Sequence, residues 1–134
     1  MTTQTQPQAR RGKRFSDLVN DVKPSIREIS KSQLQQWLEH AQTPDGEPFI
    51  LLDVREPDEV AGGQITHVSG EKPVTIPRGH LELYIDEAIV DQDAVIVCYC
   101  RGGNRSALAA DTLQKMGYSR VYSLAGGWRQ WTAA

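Results

Sequence analysis

"AVIVCYCRGGNRSALAADTLQKMG", residues 94–117, decides how this chain folds. It opens on an apolar run of strand length, turns through two glycines and continues as a helical segment. Ala109, Leu113 and Met116 fall on the inward side of that segment, and Gly117 stands in the stop position. A strand without alternation is one covered on both faces, as in a parallel sheet. The chain has two cysteines and places both here, Cys98 inside the run and Cys100 at its carboxyl end.

The same grammar repeats outward. "FILLDV" (49–54) is a second fully apolar strand, followed by "REPDEVAGG" (55–63), a short helical turn closed by glycines. "VTIP" (74–77) is a short strand reached through the irregular "QITHVSGEKP". In "RGHLELYIDEAIV" (78–90), Leu81, Tyr84, Ile85, Ala88 and Ile89 share one helical face. "RVYSL" (120–124) is a last strand, and "GGWRQW" (126–131) turns into a short helix. Toward the amino terminus, Ser30 and Gln33 make a capping box for a helix with Leu34, Trp37, Leu38 and Ala41 on one side. "SIREIS" (25–30) reads as an edge strand, and "FSDLVNDVK" (15–23) as a short helix with Phe15, Leu18, Val19 and Val22 on one side, ending before Pro24. Strands and helices alternate with short connections. The expectation is an α/β fold: a parallel sheet of about five strands with helices on both faces.

At 134 residues the chain has room for one domain. A formal net charge of −2 gives no general attraction to nucleic acid or to an anionic membrane. Arg10, Arg11, Lys13 and Arg14 put four positive charges and no acid in residues 1–14, leaving −6 on the remainder. We therefore expect a disordered basic tail over 1–14 and a domain over 15–134. The tail's arginine-rich, acid-free composition is also that of an organelle presequence, but it lacks the apolar segment of a secretory signal. No run approaches membrane-spanning length, and two cysteines two residues apart cannot staple a secreted fold. A cytoplasmic protein is expected.

In a parallel sheet, ligands bind beyond the carboxyl ends of the strands, where Cys100 sits. Gly102 and Gly103 let several backbone N–H groups surround one point, and the next helix adds the positive end of its dipole. Arg101 and Arg105 add charge. All of this favours a thiolate, the nucleophilic form. Cys98, inside the strand, reads instead as a small core side chain. His40, His67 and His80 form no ligand spacing with the cysteines, so neither a metal nor another cofactor is expected. The Gly-Lys-Ser/Thr ending of a P-loop is absent.

The segments "LLDVREPDEV", "IPRGHLE", "VIVCYCRGGNRSALAADTLQKMGY" and "VYSLAGGWRQW", in this order, resemble the single-domain rhodaneses, the thiosulfate sulfurtransferase family. The resemblance spans Leu51 to Trp131, and its most specific element is Cys100-x4-Arg105 followed by Ser106. It implies that Cys100 carries sulfur as a persulfide, taken from a small donor such as thiosulfate or a persulfide. The acceptor would be cyanide in vitro and a thiol or a protein in the cell. The loop amides of Arg101, Gly102, Gly103, Asn104 and Arg105 would stabilise the terminal sulfur as an oxyanion hole stabilises an oxyanion. Arg101 would hold the anionic donor and Arg105 would brace the loop against a carboxylate, Asp53 or Glu59. Asp53 and Arg55 end a neighbouring strand and are expected at the rim of the site, or else as a turn cap and a solvated charge. Trp128 is expected to pack the last helix.

One segment departs from the family pattern. "GGQITHVSGEKPVTIP" (62–77) has Gln64 in the usual histidine position and about five additional residues before Ile76. Competing functions are a phosphatase or arsenate reductase on the same scaffold, a docking module, or a sulfur carrier serving a protein acceptor. The related phosphatases have Cys-x5-Arg. Four intervening residues suit a single sulfur better than a tetrahedral oxyanion.

Overall fold

Apolar runs become strands and capped periodic segments become helices along residues 12–134, the part of the chain described by the computed structural model. The order is α1 (Phe15–Val22), β1 (Arg27–Ile29), α2 (Lys31–His40), β2 (Phe49–Asp53), α3 (Pro57–Val60) and β3 (Val74–Thr75). Then follow α4 (Leu81–Ala88), β4 (Val95–Tyr99), α5 (Asn104–Lys115), β5 (Arg120–Leu124) and α6 (Gly127–Trp131). The five strands form one parallel sheet in the order β1-β5-β4-β2-β3. The fold is the expected α/β one, with β1 on an edge and the cysteine-bearing β4 at the centre. Residues 1–11, and with them most of the expected tail, lie outside the described residues.

Strand pleating sorts the side chains into two layers. Ile96, Cys98 and Cys100 point to one side with Leu52, Val54 and Val121, where α4 and α5 cover them. Val95, Val97 and Tyr99 point to the other with Phe49, Leu51 and Leu124, beneath α2 and the tryptophans of α6. The Ser30 cap forms as expected: its Oγ accepts from the Gln33 N–H at 3.2 Å, and Gln33 Oε1 accepts from the Ser30 N–H at 2.9 Å.

Two helices bury less than their periodicity suggests. On α1 only Val19 is buried, while Phe15 and Leu18 are about half exposed, because α1 packs on α5 rather than on the sheet. On α4 the row Leu81, Ile85, Ile89 is buried, but Tyr84 and Ala88 face solvent. Its neighbour β3 is two residues long and offers little sheet for that flank.

The departing segment 62–77 is accommodated away from the cysteine turn. Ile65 is buried, and the N–H of His67 donates to Glu71 O at 3.0 Å, closing a turn. The His67 ring lies 5.0 Å from that of Phe49, the first residue of β2 and so at the opposite pole from Cys100. Gln64 ties the near end down: its Nε2 donates to Thr75 Oγ1 at 2.8 Å and to Asp53 Oδ2 at 3.2 Å.

Candidate active site

Cys100–Gly103 connect the central strand to α5, whose first residue is Asn104. Gly103 has φ +99°, the left-handed region that favours glycine, and a Cβ there would come within 3.2 Å of the Gly126 nitrogen. That turn folds the chain back over the Cys100 sulfur. Its Sγ accepts from the N–H of Gly103 at 3.1 Å and of Ser106 at 3.4 Å, and the thiol donates to Ser106 Oγ at 3.6 Å. Ser106 Oγ lies 2.8 Å from Ser123 Oγ on β5. Cys100 is 1% exposed. Among the described residues, none accepts from the main-chain N–H of Arg101, Gly102, Asn104 or Arg105. A concave turn with unpaired donors is suited to an anion of small radius.

The two loop arginines differ. Arg105 makes a two-pronged bridge to Glu59 of α3, Nη1 to Oε1 and Nη2 to Oε2, each 2.8 Å. The Arg105 hydrogen bonds hold the Glu59 carboxyl down to about 2, from an ordinary 4.5. Of the two carboxylates considered for Arg105, Glu59 is therefore the partner. Arg101 is exposed and its guanidinium pairs with no described residue.

Asp53 and Arg55 are not at a solvated rim, although Asp53 does cap a turn, its Oδ1 accepting from the Arg55 N–H at 3.0 Å. They are 0% and 1% exposed and face each other, Arg55 Nε and Nη2 donating to the Asp53 carboxylate at 2.8–3.2 Å. The remaining Arg55 donors reach Glu59 O at 3.2 Å and Gly63 O at 2.6 Å. Its guanidinium lies over the Trp128 ring, 4.6 Å from the centroid. A buried charge survives only when its donors are used this fully. Asp53 and Arg55 thus fasten α3, which carries Glu59, and the 62–64 chain to the end of β2. Trp128 is tied to this pair as well as to the last helix.

Cys98 is fully buried and its thiol donates to Ser106 O at 3.4 Å and Tyr122 O at 3.3 Å. Burial pushes the Cys98 thiol far up, so it stays protonated. Ser123 was not singled out from sequence, although it had a signal, a lone polar residue in an apolar strand. Gly126 and Gly127 bring α6 against the loop, with the N–H of Trp128 donating to Cys100 O at 2.8 Å and that of Arg129 to Arg101 O at 2.9 Å. Backbone contacts of this kind leave no mark in residue types. Among the described residues, no three His, Cys, Asp or Glu side chains gather to hold a metal ion, and no helix is long and apolar enough to cross a membrane.

The family model for the rhodanese-like domain matches residues 30–134. A sulfurtransferase of Allochromatium vinosum is 35% identical over 106 residues, covering 79% of this chain and 88% of that one. Among solved structures, a rhodanese-related protein of Thermoplasma volcanium superposes with a TM-score of 0.61 at 27% identity, covering 79% of this chain and 90% of that one. A Rhodopseudomonas palustris protein, described as of unknown function and a possible tyrosine phosphatase, gives 0.76 at 27% identity, covering 94% and 93%.

Proposed function

From a chain that belongs to the rhodanese-like domain family, we infer a sulfurtransferase in which Cys100 is the sulfur-carrying nucleophile. The thiolate attacks the outer sulfur of a donor such as thiosulfate, the S–S bond of the donor breaks and sulfite leaves. Cys100 then holds that sulfur as Cys–S–S⁻. A thiophilic acceptor, cyanide or a thiol, attacks the terminal sulfur and departs with it, returning the thiolate. Atoms and charge balance without any redox partner.

The observation that carries this reading is the cradle: two N–H groups already on Sγ and four more from residues 101–105 with no acceptor among the described residues. Donors fixed before the reaction stabilise charge as it develops, at no cost in reorganisation. Arg101, exposed beside Cys100 and paired with no described residue, supplies attraction for an anionic donor. Arg105 serves the loop through Glu59. Ser106 supports Sγ from below, with Ser123 behind it.

The second reading, phosphatase chemistry, is favoured by the Rhodopseudomonas palustris description. Against it stand the four-residue interval from Cys100 to Arg105 and a nucleophile 1% exposed, which favour one sulfur atom over a phosphoryl group with three oxygens. Intact-mass measurement separates the two. Thiosulfate is expected to add the mass of one sulfur atom, cyanide to remove it as thiocyanate, and Cys100→Ser to abolish the uptake. Cys98→Ala is expected to keep it. Sulfur uptake by Cys100→Ser, or efficient hydrolysis of an aryl phosphate by a wild type that forms no thiocyanate, would overturn the reading.

A further inference from the structure

The first N–H groups of any helix have no partner inside it. In α6 two of these, from Trp128 and Arg129, end on the carbonyls of Cys100 and Arg101. The two segments approach so closely that a Cβ on Gly127 would lie 2.4 Å from Cys100 O and 2.7 Å from Arg101 O. Both obstacles are backbone, which cannot swing aside. Gly127 also has φ +56°, and the facing Gly103 lies against Gly126. The loop and the start of α6 are interlocked main chain to main chain.

This contact has a direction. In a planar trans peptide the C=O of one residue and the N–H of the next point opposite ways. Fixing Cys100 O on α6 therefore turns the Arg101 N–H away from α6, and fixing Arg101 O does the same for the Gly102 N–H. The Cys100 side chain packs in the layer of α4 and α5, whereas α6 sends its tryptophans into the opposite layer. Away from α6 is thus toward the sulfur. Neither N–H has another acceptor among the described residues.

We propose that the first turn of α6 is the jig that aims the Arg101 and Gly102 amides at the persulfide, with Gly127, Trp128 and Arg129 as positioning residues acting through the backbone. This rests on the persulfide reading of Cys100. The side chains of residues 127–129 are secondary to the role: what is required is no side chain at 127 and an N–H at 128 and 129.

Arg129→Pro deletes one N–H in the first helical turn, where proline removes no intrahelical bond. Losing one aimed donor is expected to lower kcat for thiosulfate about tenfold while KM changes less than about twofold. Gly127→Ala displaces both carbonyls and is expected to lower kcat about a hundredfold. A merely structural role would instead reduce activity in step with the folded fraction seen by circular dichroism.

The second arm uses wild-type protein loaded with inorganic polysulfide, which does not depend on thiosulfate turnover. In amide-resolved NMR, loading is expected to move the Arg101 and Gly102 amide protons downfield more than any outside the loop, and in folded Arg129→Pro the Gly102 shift shrinks while that of Arg101, aimed by the Trp128 N–H, is kept. Loaded wild type that leaves both amides in place overturns the proposal, as do folded variants that keep kcat. If neither variant folds, the wild-type amides decide. If polysulfide loads Cys100 and moves the amides while thiosulfate transfers nothing, the donor assignment fails and the positioning role stands. If neither reagent loads Cys100, both fall together.

Discussion

Replacing Glu59 by Gln removes one charge from the Arg105 bridge and keeps its shape. The side chains of Arg105 and Glu59 are 29% and 22% exposed, so the pair lies between a solvated bridge and a buried one. A carboxyl held at about 2 in the fold and at 4.5 when free corresponds to about 3 kcal/mol of linked stability at neutral pH. Partial exposure reduces this to about 1–2 kcal/mol. For a domain of this size that is a fall in Tm of about 3–10 °C. The folded value lies below the free one, so the stabilisation is complete above pH 4.5 and disappears as pH falls from there toward 2. Thermal or urea unfolding of wild type and Glu59→Gln at neutral pH, pH 4 and pH 2.5 is therefore expected to show a gap that closes with acid. A gap equally large at pH 2.5 would mean that packing, not charge, holds Arg105, and no gap at neutral pH would refute the bridge altogether.

Arg101→Ala is expected to raise KM for thiosulfate more than it lowers kcat, and to flatten the salt dependence of KM, because its charge acts at a distance. Arg105→Lys keeps charge but loses the planar fork, so kcat is expected to suffer instead. The reverse pattern in steady-state kinetics would exchange the two roles. Asp53→Asn leaves the Arg55 guanidinium buried without its counter-charge and is expected to destabilise by about 3–5 kcal/mol in urea unfolding. A loss below about 1 kcal/mol would show that the carbonyls and Trp128 suffice to hold Arg55.

β2, β4, α2 and α5 were legible because continuous apolar runs and a capping box are local facts. So was the placing of Cys100 in a turn between the central strand and a helix, since the strand end and the glycines adjoin it in sequence. What failed depended on neighbours from elsewhere in the chain. Asp53 and Arg55 look like a polar strand end bound for solvent. "LLDVRE" contains the Asp53 carboxylate that Arg55 meets, but nothing in it announces that Arg55 turns inward, since its carbonyl acceptors come from Glu59 and Gly63 and its aromatic cover from Trp128. Tyr84 matched the helical period as well as Ile85 did, yet the shortness of β3 left one covered and the other wet. Contacts of α6 with the loop run through peptide groups common to every residue type, and only the glycines that permit the approach are visible.

The two thiols are covered by chain that is synthesised after them. Cys98 is closed in by Ser106 and Tyr122, and the loop of Cys100 is completed by residues 126–129. The edge strand β1 waits for β5 as well, since Arg27 pairs in register with Tyr122. Pairings between distant residues of this kind form slowly. Until they do, a nascent or refolding chain carries two adjacent-facing cysteines open to oxidant, at the start of the ladder that leads through sulfenic acid to disulfide or irreversible damage. Once β5 and α6 close, Cys98 is shut in, and Cys100 keeps only the approach its sulfur chemistry uses. Redox exposure of Cys98 is therefore a property of the chain's youth rather than of its native state, and recovery of activity on refolding is expected to rise when a reductant is present before the sheet is complete.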